Sequence, residues 1–489
     1  MAVFHGGESL SGSASRDPFG KATHAGSFRM HEITPLSGLP CSTGTKRPAI
    51  QGSPMPDLPR HAAVVLFLAP LGSALGNGVL RHGFGAADAG TAGAFAETRA
   101  DALTAMQVNP ASLAALEGNE WMLSFRAVTG DAEFTKSGRK YDMDRSGVIP
   151  ELALAWRDED SPWTFGLSLA ALSALEVDWA YPDAPGGIGG ISYGLVGHDS
   201  GFKAIRGNAG VAFEWSECLS LGASIGALYS EVDFDAPFIF QSNPALAGAK
   251  VNLDLNTSGW DAVSEFGLLW RPDECWSVGL HARPRVTMEH EGSAVADFSA
   301  QLPTAGGAST YNHYEAVTRN ALPFVAGLGV SWQYTYRLRL GISADWIQWS
   351  GAFDELEVGL SQGTNGTING AIGSSVADRV PVGWKDRWVF ALGAEFDLSD
   401  SWVLRGGWRY GESPQPEALV TPLNGALPEH TLAVGLGWKS GPWSLNASYE
   451  VQFGDTRKVV TSGYLASEYS NSSLELVVQA LTFGVTRKF

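Results

Sequence analysis

Gly222-Ala223-Ser224-Ile225-Gly226 has the Gly-x-Ser-x-Gly form that sets a serine nucleophile on a strained strand-to-helix turn. Here the motif lies mid-strand. Between Leu219 and Tyr229, Leu221, Ala223, Ile225 and Ala227 alternate with Ser220, Gly222, Ser224 and Gly226. A serine inside such a run has no elbow to expose it, so the motif is a decoy; no catalytic residue is expected, and the protein does not read as an enzyme. A lipase built on strands would need Ser and His at matching positions near one rim, and no such pair stands out. The ten histidines follow no metal-ligand spacing, so neither a metal nor a cofactor is expected. His313, beside Tyr311, Tyr314 and Glu315, reads as a solvated loop residue. What remains is ionic: Arg126, Arg283, Arg339, Arg405 and Arg409 alternate with apolar neighbours, as do Glu214, Glu395 and Glu450. These residue types suit structural ion pairs. The guanidinium fork also suits a ligand carboxylate, and Arg126, Arg283 and Arg405 are the candidates for that contact.

The elements that must position these groups are strands. Among 489 residues there is no apolar run of about 18, which excludes helical membrane spans. From Trp121 onward the chain alternates with period two. In one such run Trp443, Leu445, Ala447, Tyr449, Val451 and Phe453 oppose Ser444, Asn446, Ser448, Glu450 and Gln452. Tight turns at residues 157–162, 216–218, 271–274, 334–336, 397–401 and 439–442 take turns with long polar connections. The long ones are expected at residues 138–147, 181–204, 235–257, 292–314, 359–380, 411–429 and 454–471. Short connections at one rim and long ones at the other describe an all-β transmembrane barrel of about 14 antiparallel strands. Tryptophan agrees. Trp156, Trp163, Trp215, Trp270, Trp276, Trp332, Trp402, Trp438 and Trp443 lie near short turns, and Trp179, Trp260, Trp346, Trp349, Trp384 and Trp408 near long loops, as two interfacial belts would. A net charge of -18 argues against nucleic acid as a partner.

The first quarter is different. Residues 1–54 are polar and aperiodic, and read as a disordered or mis-assigned leader with the true start at Met55. Residues 55–74 carry Arg60, the apolar stretch Ala62–Leu71 and small residues up to Ala74, the pattern of a secretory signal peptide. Residues 75–119 are rich in Gly and Ala and low in charge, a composition suited to a plug, or hatch, packed inside the lumen of the barrel formed by residues 120–489. Asn109 as N-cap, Pro110 at the first position and Gly118 beyond the end predict a short helix there. Cys218 and Cys275 read as isolated thiols, with a bridge as the alternative.

Gly90-Thr91-Ala92, Asp101 and Asn109-Pro110-Ala111, followed by Asp345-Trp346, Trp349-Ser350, Trp384-Lys385-Asp386, Arg405-Gly406 and Ser413-Pro414 with Pro416, occur in an order that resembles the FadL-type family of outer-membrane transporters. The resemblance implies residence in the outer membrane of a Gram-negative bacterium. It implies passive uptake of long-chain fatty acids or similar hydrophobic compounds, with aromatic hydrocarbons as the alternative substrate and an adhesin or receptor barrel as a more distant one. It also implies capture among outer loops, a pocket behind the hatch, hatch movement and sideways exit at a kink in the third strand. Phe238, Ile239, Phe240 and Leu246 are the candidate capture residues. Ser173 and Ala174, in a strand segment without Gly or Pro, are the candidate kink. Expected partners are the hydrophobic ligand, the bilayer with its lipopolysaccharide and, during biogenesis, the barrel-assembly machinery, to which the terminal Phe489 would be the signal. The working form would be a monomer.

Overall fold

A computed structural model describes residues 78–158, 160–302, 309–425 and 428–489. The readings for the leader and the signal peptide lie outside the described residues. Fourteen antiparallel strands follow one another around a closed wall. They are β1 (Glu120–Lys136), β2 (Arg139–Arg157), β3 (Trp163–Pro182), β4 (Leu195–Ser216), β5 (Leu219–Ile239), β6 (Lys250–Trp270), β7 (Trp276–Arg283 and Val286–Asp297), and β8 (Tyr311–Leu322 and Phe324–Gln333). Then come β9 (Leu338–Gln348 and Glu355–Ser361), β10 (Val376–Pro381 and Arg387–Asp397), β11 (Trp402–Gly411), β12 (His430–Ser440), β13 (Trp443–Phe453) and β14 (Ser472–Lys488). The ladder between β1 and β14, from Glu120↔Lys488 to Lys136↔Ser472, closes the ring. Closure removes the free sheet edges, the condition for strands to stand in lipid.

Period-two patterning sorts the side chains. Along β13, Trp443, Leu445 and Tyr449 are exposed on the outside while Ser448, Glu450 and Gln452 are buried within. Along β3, Trp163, Phe165 and Leu167 face out and Thr164 and Ser168 face in. Three expectations need correction. Residues 138–147 do not form a long loop: β1 turns into β2 at Ser137-Gly138, and near this turn the alternation inverts, with Phe134, Tyr141 and Met143 packed inward and Glu133, Lys140, Asp142 and Asp144 outward, so a stretch dense in charge still runs as strand. Likewise β5 continues to Ile239 and β6 starts at Lys250, so the connection expected over residues 235–257 is much shorter. Trp179, Trp349 and Trp384 are not part of an outer belt. They are buried inward, whereas Trp260, Trp388 and Trp408 are exposed. Cys218 and Cys275 are unbridged.

The chain between Gly78 and Gly118 fills the lumen. It forms α1 (Gly85–Ala89), α2 (Ala102–Gln107) and a 3-10 turn, Pro110–Ala115. The expected helix beginning at Asn109 is therefore this tighter turn, and it stops three residues short of Gly118. Asp101 caps α2 by accepting from the Thr104 amide at 2.8 Å. Phe95, Leu103, Met106 and Leu113 have no exposed surface.

Candidate functional site

The hatch is seated where the wall lacks side chains. A Cβ on Gly222 would lie 2.2 Å from the Ala111 amide nitrogen, and one on Gly267 would lie 1.9 Å from Asn109 Oδ1. On the opposite wall, a Cβ on Gly407 would lie 2.1 Å from the Thr91 carbonyl oxygen. The decoy motif thus has a structural explanation: Gly222 is small because the Asn109-Pro110-Ala111 turn rests on it. Asn109 locks that turn. Its Oδ1 accepts from the Ala111 amide (3.1 Å), and its Nδ2 donates to the Glu97 carbonyl (2.6 Å) and to the Leu268 carbonyl on β6 (3.0 Å). Asn109→Ala removes all three bonds, although Ser112 Oγ still donates to the Glu97 carbonyl (3.1 Å), and should lower stability by about 1–2 kcal/mol. Chemical denaturation of the detergent-solubilised protein measures it, with hatch amides expected to exchange faster.

Ion pairs fasten the rest. Arg405 donates to Glu395 (2.8 Å) and Asn446 (2.9 Å), and Arg99 of the hatch reaches the same Glu395 at 3.0 Å. Arg409 donates to the Ala92 carbonyl at 2.9 Å and to Asp345 at 3.2 Å. Arg126 is paired with Glu450, Arg339 lies 3.6 Å from Glu395, and Glu214 accepts from Arg157 at 2.6 Å. Two of the three candidate arginines, Arg126 and Arg405, are therefore already taken by carboxylates. Arg283 is not. It is 6% exposed, has no carboxylate within ion-pair distance among the described residues, and its Nε has no partner. It lines a cavity of about 50 Å³ between hatch and wall, whose lining mixes apolar Leu80, Leu172 and Val325 with the charged Glu97, Glu265, Asp345 and Arg409.

At the outer mouth lies a second, apolar cavity of about 220 Å³. Phe238 and Ile239 line it with Phe234, Leu253, Leu356 and Val380. Phe240 and Leu246 do not reach it. They pack in the adjoining core with Val251, Leu255 and Phe298. Arg319, also on the lining, is held by Glu289 at 2.6 Å. The loops over this mouth are tied by Lys250, which is fully buried and donates to Asp183, the Ala184 carbonyl (2.9 Å) and Glu468 (2.9 Å). Burial pushes the Glu468 carboxyl upward and Lys250 opposes that.

The wall has a seam. β2 pairs with β3 only from Leu152↔Leu169 to Arg157↔Thr164, and their outer portions form no ladder. The β3–β4 register shifts between Ala171 and Ser173, leaving Leu172 as a bulged residue directly before Ser173 and Ala174. Ala170 through Leu175 are buried on both faces, where a regular wall strand would alternate. Arg81, at the start of the hatch, fills the parting. Its amide donates to the Leu172 carbonyl (2.9 Å), and its guanidinium is paired with Glu151 of β2. Neither Arg81 nor Glu151 stood out in the sequence. Glu151 sits on the lumen phase of β2 and Arg81 in the hatch, and nothing local marks them as meeting.

The described residues form a plugged fourteen-stranded barrel, and residues 71–489 match the family model described as outer membrane protein transport protein (OMPP1/FadL/TodX). The chain belongs to that family. The OMPP1/FadL/TodX assignment makes it an outer-membrane channel for hydrophobic compounds, in a family of transporters rather than enzymes. A long-chain fatty acid transport protein of Salmonella typhi is 23% identical over 246 residues, 46% of this chain and 52% of the relative. The matched region thus spans about half the length of that curated relative. Among solved structures, a Pseudomonas aeruginosa FadL homologue superposes with a TM-score of 0.66 at 17% identity, over 84% of this chain and 100% of the other. The Pseudomonas putida toluene transporter TodX gives 0.63 at 17% identity, over 84% and 100%. The Ralstonia pickettii toluene transporter TbuX gives 0.63 at 17%, over 83% and 99%. At these identities the likeness is one of fold.

Proposed function

We propose that this channel takes up long-chain fatty acids: capture in the apolar mouth, docking of the carboxylate at Arg283 behind the hatch, and lateral release through the β2–β3 seam. The observation that carries the choice of substrate is Arg283, a buried guanidinium on a cavity wall whose Nε has no partner and which no carboxylate holds within ion-pair distance among the described residues, the cavity's own acids Glu265 and Asp345 being engaged by Arg206 and Arg409. A carboxylate arriving there gains charge-assisted hydrogen bonds that a neutral hydrocarbon cannot make. The acyl chain supplies the rest, at about 0.8 kcal/mol per buried CH₂. Movement of the hatch start, with Arg81 leaving Glu151 and Leu172, clears the seam.

A monoaromatic hydrocarbon is the second reading, and the mouth favours it. That cavity, at about 220 Å³, exceeds the roughly 150 Å³ that suffices for benzene, and its arginine is already neutralised. Binding to the purified protein separates the two. Oleate should bind more tightly than oleyl alcohol, and both more tightly than toluene; toluene binding while both long-chain ligands fail would overturn the fatty-acid assignment. Phe238→Ser, by removing a wall of the mouth, should weaken all apolar ligands together by about 1.5–3 kcal/mol. Titration with a fluorescent acyl probe reads it. A loss confined to one ligand class would show that Phe238 is not a general capture surface.

A further inference from the structure

Three acidic side chains and one imidazole meet behind the hatch in an arrangement the ion-pair networks do not exhaust. His281 on β7 and Asp345 on β9 both stand directly opposite Gly327 of β8. The glycine leaves a gap over which they lean together, His281 Nε2 lying 3.1 Å from Asp345 Oδ1. A Cβ at Gly327 would lie 2.1 Å from that nitrogen. Glu97 of the hatch descends onto the neighbouring Gly329 and places Oε1 3.9 Å from the same Nε2. Its other oxygen, Oε2, is buried without a partner, and the whole residue is 1% exposed. On the far side of the ring, His281 Nδ1 is 3.3 Å from Glu265.

We propose that Glu97, His281 and Asp345 form a site for a divalent transition metal, best matched by zinc, that fastens the hatch to the wall. The three ligand atoms lie within 4.8 Å of one another. Ligands about 2.0 Å from a tetrahedral ion sit about 3.3 Å apart, so the 3.1 Å separation fits as it stands, and Glu97, 3.9 Å from Nε2 and within 4.8 Å of the Asp345 oxygen, must close in on binding. Glu265 stands where metal-binding histidines place a second carboxylate, fixing the proton on Nδ1 and aiming the Nε2 lone pair at the ion. Arg206 and Arg409 hold the outer oxygens of Glu265 (2.7 Å) and Asp345 (3.2 Å), leaving the inner ones to the ion and to Nδ1. The adjoining cavity of about 50 Å³ has room for a water in the fourth position.

The rival is an imidazolium that bridges Glu265 and Asp345 without a metal. It accounts for both ring nitrogens and leaves Glu97 Oε2 unmet. Metal content of the full chain decides between them. The purified protein is refolded into detergent with zinc or with a chelator, dialysed, and assayed by elemental analysis and thermal melting. The expected result is about one zinc per chain and a higher melting temperature for the zinc-refolded sample. Glu97→Gln and His281→Gln should each abolish both, and cobalt should give a visible ligand-field spectrum that the variants lack. Glu97→Gln keeps the shape of the hatch, so the imidazolium arrangement would leave its melting unchanged or raised. No zinc retained by the wild type, or zinc retained equally by both variants, would overturn the proposal.

Discussion

Deleting Val79–Gly118 should turn a nearly closed protein into an open pore. Fourteen strands place this barrel close to the 16–18-stranded porins, whose lumens are aqueous channels, and well above the 8-stranded barrels that side chains alone can fill. What closes the lumen here is the chain's own start. Removing it uncovers wall positions that are glycine because the hatch occupied their space, among them Gly222, Gly267 and Gly407. Planar-bilayer conductance should rise from a low baseline to large, steady steps, and cells should become sensitive to bulky hydrophilic antibiotics. A subtler variant, Gly407→Leu, leaves the hatch covalently present but pushes against Thr91, and should give flickering rather than steady conductance. If the deletion variant assembles and conducts no more than the intact chain, the lumen is stoppered by something other than this segment.

The second large effect is expected at Arg283. Replacing it with Met preserves length and apolar packing but removes the charge. A hydrogen bond to a charged group contributes about 1.5–3 kcal/mol, so affinity for a long-chain carboxylate should fall about 10- to 150-fold. Affinity for the matching alcohol should hold or improve, since a buried unpaired guanidinium is itself costly. Arg126→Met should behave differently: it strands Glu450 and damages stability rather than selectivity. Equal losses for acid and alcohol in Arg283→Met would mean that Arg283 supports the fold and does not meet ligand.

The outward architecture was legible because lipid enforces a rule at every second residue. The alternation of Trp443–Phe453 placed Tyr449 outside and Glu450 inside without any knowledge of neighbours. The rule changes where lipid ends, which is why the Ser137-Gly138 turn was missed: Tyr141 and Met143 pack inward while Lys140, Asp142 and Asp144 face outward, the reverse of the apolar-out pattern. It lapses again in the lumen. Period two says that Glu97's contacts, His281 and Asp345, face inward; it says nothing about where around the ring they stand. Their meeting depends on β8 lying between β7 and β9 and presenting Gly327 at the shared position. No spacing rule reaches across such gaps, so histidines without metal-like spacing in the sequence can still converge with acids in space. Trp349 and Trp384 illustrate the same limit: they lie near long connections, as an outer belt would, but Trp384 stacks on Phe353 inside and Trp349 meets that ring edge-on.

The short ladder between β2 and β3 also bears on mechanics. A hoop stitched evenly all round spreads tension evenly, whereas one with a sparsely stitched join concentrates it there. Fewer backbone bonds must break at this join than at the fully stitched β1–β2 or β3–β4 junctions. Squeezing by the surrounding bilayer would therefore flatten the cylinder about that line, leaving the other thirteen junctions as comparatively stiff staves.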